Sequence, residues 1–136
     1  MFDDRAGKSV IVHSGRGPDD PRIGDTLEVL SKRGWSGDVA RSKTAELIGS
    51  ALGDLLRQII ERTGLTRAAT TGGDTSYYVA RQMGVTALEA IGPMAPGSPL
   101  CRVHATPGSK IDGCEVTFKG GQVGKVSFFG DVLSGG

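Results

Sequence analysis

The sequence predicts an α/β protein: a mixed, largely parallel sheet flanked by helices, with a C-terminal third rich in β-hairpins. Three observations carry this. Between residues 44 and 84 a long helical pattern is followed by a short apolar run, a glycine-rich turn and a second helical pattern, the alternation of a parallel layer. After residue 85 the chain changes to short β-prone runs separated by Pro and Gly. The 22 glycines among 136 residues fall at the ends of such segments, as turns and close backbone approaches do, and form no low-complexity tract.

Taken in order, "SVIVHS" (9–14) is a β-branched run that predicts a buried parallel strand. "GRGPDDPR" (15–22) holds two Gly, two Pro and two Asp and predicts no regular structure. "DTLEVLSKRG" (25–34) suits a short helix ending at Gly34, with Trp35 anchoring the next loop. The clearest helix spans 44–62, where Leu47, Ile48, Ala51, Leu52, Leu55, Leu56, Ile59 and Ile60 recur at helical spacing. Thr44 can cap its start and Gly64 its end. "TRAATT" (66–71) predicts a very short strand, and a helix from about Thr75 to Met83 stops at Gly84. "TALEAIGPM", "CRVHA", "CEVTF" and "KVSFF" are strand candidates, with "TPGSKID" (106–112) a hairpin loop between the second and third.

Composition narrows the partners. Hydrophobic residues make up 38% and charged residues 23%, as in an ordinary globular chain, and the net charge is only +1. That balance offers no basic face for nucleic acid, and "SKRG" (31–34) suits a solvated loop. No apolar run reaches the length of a bilayer span, and "MFDDRAGKS" lacks the apolar core of a signal peptide, so a cytoplasmic location is expected. Cys101 and Cys114 then suit free, partly buried thiols. Cys101 and His104 stand three apart, on opposite faces of a strand, which argues against a zinc pair. No Ser–His–acid constellation stands out, and spacing names no catalytic base.

Three glycine clusters each follow a strand candidate. "TTGGDTS" (70–76) sits where a strand's carboxyl end meets a helix, the place where α/β sheets bind anions. It is readable either as a tight turn with a helix cap or as a phosphate cradle. In the cradle reading Asp74 suits a phosphate only through a bridging Mg²⁺, and a Gly73→Val change blocks the approach and resists a positive φ. "KGGQVGK" (119–125) permits the same close approach but fails the Walker pattern, because Lys119 stands where Gly is needed and Val126 where Ser/Thr is needed. It too is readable as a simple turn or bulge. "HSGRGPDD" (13–20) departs from the dinucleotide fingerprint at Asp20 and Pro18. It leaves Ser14 at a strand end, with Arg16 and Arg22 free to pair with phosphate or with nearby aspartates. If the three strands are parallel neighbours, all three loops open on one sheet edge and line a cleft for a polyanion such as a nucleotide.

Four stretches in this order, "HSGRGPDDPRI", "TGGDTSYYVARQMGVTAL", "APGSPLCRVHA" and "FKGGQVG", resemble the C-terminal nucleotide-binding domain of the four-carbon acid sugar kinase family, over about residues 9–130. The resemblance implies an ATP-dependent kinase of tetronates such as erythronate, threonate or 3-oxo-tetronate, with ATP and Mg²⁺ as cofactors. It implies ATP contacts at Ser14, Gly72, Gly73, Asp74, Thr75 and Gly121, with Arg16, Arg22, Lys119, Gly120 and Gly124 as further phosphate or substrate contacts. In many members the last loop reads Lys-Ser-Gly-Asn-Phe-Gly; here Gly120 replaces the serine, which removes a hydroxyl contact. The family's sugar-acid site and catalytic acid belong to an N-terminal domain without counterpart here. The expectation is therefore a single nucleotide-binding domain over 1–136, with no catalytic residue of its own, partnered by a missing or separate sugar-acid domain or self-associating through the uncovered surface. The alternative is a non-catalytic nucleotide-binding or regulatory module that has lost that domain.

Overall fold

In the first stretch of the chain, an aspartate–proline pair starts a helix. The computed structural model describes residues 9–17, 19–121 and 123–134. Helix α1 spans Pro21–Lys32. Pro21 lacks an N–H that the first helical turn would leave unpaired anyway. Asp20 is the N-cap and accepts from the backbone N–H of Arg22 at 3.0 Å and of Arg16 at 2.8 Å. The Arg22 guanidinium closes on the same carboxylate, with Nε 2.9 Å from Oδ1. These donors, the Arg22 side chain first, hold the Asp20 carboxyl far below the usual carboxylate range. The stretch read as structureless thus ends two residues early, because Asp-Pro is a helix start as well as a turn signal. The run 9–13 takes no strand and is exposed, with Val10, Ile11 and Val12 at 59%, 63% and 45% accessibility. Its β-branched residues are strand formers only where a partner strand supplies the ladder.

Helix α2 spans Gly37–Thr63 and starts seven residues before Thr44. The Thr44 hydroxyl donates to the Ala40 carbonyl within the helix and is not its cap. The chain divides into two compact units, Met1–Ile48 and Gly49–Gly136, so α2 contributes to both.

In the second unit the order after α2 is β1 (Arg67–Thr71), α3 (Gly73–Gln82), β2 (Ala87–Ala95), β3 (Ser98–His104), β4 (Glu115–Lys119) and α4 (Phe128–Ser134). The four strands form one sheet in the order β1-β4-β3-β2. β1 runs parallel to β4, whereas β2–β3 and β3–β4 are antiparallel hairpin pairs. The class is the α/β one expected, with hairpins in the C-terminal third, but parallel pairing is confined to β1 and β4. "KVSFF" is not a strand: Phe128 and Val132, four apart, are the buried residues of α4.

The core of this unit joins Ile60 of α2, Val79 of α3 and Met83 to Cys101 and Val103 of β3 and Val116 of β4, with Ile111 and Cys114 from the connecting loop. Leu52 and Leu56 extend the α2 stripe onto it, while Leu47 at the other end of the predicted face is 59% exposed. α2 and α3 touch almost backbone to backbone. A Cβ on Gly49 would lie 2.6 Å from Tyr78 Cβ, and one on Gly53 would lie 2.9 Å from Val79 Cα. Glycine inside a helix costs about 1 kcal/mol against alanine, and here it permits the close crossing. Both cysteines are free and buried, and desolvation pushes their thiols up.

Candidate functional site

Because β1 and β4 are parallel and adjacent, their carboxyl ends finish together. The register pairs Thr71 with Lys119, and each is followed by two glycines. The two glycine loops are joined there: the Gly72 N–H donates to the Lys119 carbonyl at 2.8 Å. A Cβ placed on Gly121 would lie 3.9 Å from Gly72 Cα, so a side chain there would reach the other loop.

The first loop is shaped by its backbone. Gly72 takes φ 109°, ψ 120° as the N-cap of α3, a region that residues with a Cβ avoid. Its carbonyl accepts the first helical bond, from Ser76 N–H at 2.8 Å. Ser76 is buried, and its hydroxyl lies 2.9 Å from that of Thr70, tying helix to strand. Gly73 is the first residue of α3; its φ is not positive, and a Cβ there would meet nothing within 4 Å. The conformational demand therefore falls on Gly72, and Gly73 contributes open space. Asp74, in the first turn of α3, is exposed and without a hydrogen-bond partner among the described residues. Its charge is favourable beside the positive end of the helix dipole. Thr75 packs its side chain under the turn, 3.3 Å from where a Gly72 Cβ would stand.

The second loop is shaped by a side chain. Lys119 is 8% exposed, and its Nζ donates to the Gly120 carbonyl at 2.8 Å and to the Val123 carbonyl. Gly124 takes φ 100° where the loop passes the lysine stem. An open cavity of about 420 Å³ adjoins this loop. Thr71, Lys119, Gly121 and Lys125 give it polar walls, and Val123, Val126 and Phe129 give it apolar ones.

Ser14, Arg16 and Arg22 lie in the first unit. Ser14 and Arg16 are exposed, and Arg22 is engaged by Asp20, the local pairing that the sequence offered as its alternative. Of the remaining expected residues, Gly72, Gly73, Asp74 and Thr75 stand on one loop and helix start, and Lys119, Gly120, Gly121 and Gly124 on the loop beside it. Sequence reasoning missed Lys125, whose ammonium has no partner among the described residues. Its only signal in the sequence is its place at the end of "KGGQVGK", just before the Val126 that breaks the Walker pattern. It also missed Phe129, read as part of a strand. No cluster of three or more His, Cys, Asp or Glu able to hold a metal occurs among the described residues. No helix there is long and apolar enough to cross a membrane.

A family of nucleotide-binding C-terminal domains matches residues 2–129. The chain belongs to that family, the C-terminal domain of the four-carbon acid sugar kinases. A curated relative, 3-oxo-isoapionate kinase of Paraburkholderia graminis, is 40% identical over 129 residues, covering 95% of this chain and 26% of the relative. The chain thus spans about a quarter of the kinase it matches. Two crystal forms of a Bordetella bronchiseptica protein with a domain of unknown function share the fold, at TM-scores of 0.55 and 0.57 and 21% and 20% identity. They cover 63% and 65% of this chain and 21% of that protein, which was solved with bound citrate as a domain-swapped dimer.

Proposed function

We propose that this chain is the ATP-binding domain of a kinase that phosphorylates a small sugar acid. The observation that carries the reading is the junction of the two glycine loops at the ends of the parallel strands β1 and β4, closed by the 2.8 Å bond from Gly72 to Lys119. Main-chain amides without side-chain cover, next to the N-terminus of a ten-residue helix, suit a chain of phosphates. In this reading Gly72, Gly73 and Gly121 admit the phosphates, and Thr75 lies beneath them. Lys125 supplies a mobile positive charge at the rim. Val123, Val126 and Phe129 offer apolar surface for the base. The residues present fit Mg²⁺ only sparsely, with Asp74 as one carboxylate; Mg²⁺ usually keeps several waters and takes the substrate's own phosphates as ligands. Bound there, the ion would neutralise phosphate charge.

The acceptor is a tetronate such as erythronate, threonate or 3-oxo-tetronate, or the 3-oxo-isoapionate named for the relative. Phosphoryl transfer needs the acceptor hydroxyl held in line with the terminal phosphate. In this proposal a sugar-acid-binding domain, in the same longer chain or a separate one, presents that hydroxyl, and this domain over 1–136 holds the donor. Isothermal titration of the chain with ATP·Mg²⁺ tests the reading. Saturable heat with a matching thermal shift is expected; neither effect at millimolar nucleotide overturns it.

A further inference from the structure

We propose that Lys119 is the positioning residue of this sheet edge: it holds both glycine loops in the shape that the phosphates meet, and does not meet the phosphates itself. The proposal rests on the nucleotide reading of the edge. A lysine with 8% of its surface exposed needs partners for its charge. Lys119 finds them inside its own loop, in the carbonyls of Gly120 and Val123 and the face of Phe128, whose centroid lies 5.4 Å from Nζ. Two of the three ammonium protons are thereby committed.

The consequence lies on the far side of those peptides. In a trans peptide the C=O and the following N–H point in opposite directions. Carbonyls of Gly120 and Val123 drawn toward the ammonium turn the N–H groups of Gly121 and Gly124 away from it. Neither N–H has a partner among the described residues. The lysine therefore fixes the orientation of two backbone N–H groups that have no partner among the described residues and face away from its ammonium. Its own carbonyl meanwhile holds Gly72 of the other loop at 2.8 Å. Main chain and side chain of one residue thus fix both walls. The loop closes tightly over the stem, since a Cβ on Gly124 would stand 3.1 Å from Lys119 Cδ.

Lys119→Met keeps the stem and removes the ammonium. Two measurements are made on the full 136-residue chain: ATP·Mg²⁺ affinity by titration, and hydrogen exchange without nucleotide. The expected result is a loss of affinity of about tenfold, the scale of a charge-assisted contact, with faster exchange at the two bonded amides of the loops, Gly72 and Val123, and unchanged exchange in β3. Unchanged affinity in the variant, when the parent chain binds, overturns the positioning role alone. Lost affinity with unchanged loop exchange also overturns it, because the ammonium then acts on the phosphate directly. No binding by the parent chain overturns the nucleotide reading, and this proposal with it. If circular dichroism shows Lys119→Met unfolded, Gly124→Ala replaces it. That change displaces the stem while keeping the charge; the same two effects are expected, and unchanged affinity is again fatal.

Discussion

The two glycine loops end neighbouring parallel strands in register, yet they keep their shapes by different means. The loop after β1 is set by backbone conformation: Gly72 occupies φ 109° and hands the chain directly to α3. The loop after β4 has no helix to enter at once and is folded around the Lys119 ammonium. The difference teaches where each is vulnerable. A loop fixed by φ and ψ fails when a Cβ is added at one position and is otherwise tolerant. A loop fixed by a buried cation fails when that cation is lost, since two carbonyls then lose their donor.

The largest effect that can break this comparison comes from Gly72→Val. A β-branched residue at φ 109° is strongly disfavoured, and its Cβ would press Thr75 Oγ1 at 3.3 Å. A stability loss of about 3 kcal/mol, the upper end for one strained residue, is expected in urea unfolding. Exchange should rise at residues 72–76 and stay level at 123–124. Equal loosening of both loops would show that they are a single device.

A smaller effect should come from Gly53→Ala, far along α2 from either loop. The added methyl meets Val79 Cα at 2.9 Å and Gln82 Cβ at 2.7 Å, so α3 must shift. Overpacking of this kind costs about 1–3 kcal/mol, to be read from the thermal midpoint. Because α3 begins at Gly73, the first loop should follow the shift, while the second, which rests on β4 and Lys119, should not. A change confined to the second loop would contradict the assignment of shape to α3.

Much of this was readable beforehand. The α2 stripe, the short β1, the glycine turn and α3 announce themselves through apolar period and glycine punctuation. The adjacency was legible as a conditional on three loops: if their strands are parallel neighbours, all three share an edge; β1 and β4 meet that condition, and residues 9–13, which form no strand, do not. Residues 9–13 did not become the strand their composition suggests, because β propensity needs a partner that no local pattern supplies. "KVSFF" misled for a related reason. A short apolar run fits either period, and the deciding residue, Val132, lies outside it. Gly49 and Gly53 look like flaws in a helical pattern until α3 is seen against them. Lys119 reads as a phosphate ligand in sequence, and only the direction of its side chain reveals that its charge is already taken.

The smallest structural effect is the sharpest test of purpose. Gly73, unlike Gly72, has an ordinary backbone conformation, and a Cβ there meets nothing within 4 Å. Alanine should therefore fit, and by narrowing the unfolded ensemble it should stabilise the chain by about 0.4–1 kcal/mol. A glycine retained only as a turn residue would gain from that exchange at no cost. If the space above Gly73 belongs to a phosphate, Gly73→Ala should gain stability in urea and lose ATP·Mg²⁺ affinity in titration, two readouts moving in opposite directions. Gly72→Val cannot make this separation, because strain and ligand loss arrive together. A Gly73→Ala chain that is both more stable and equally avid would leave the first loop as a helix cap. The approach of the ligand would then rest on the lysine-folded loop alone.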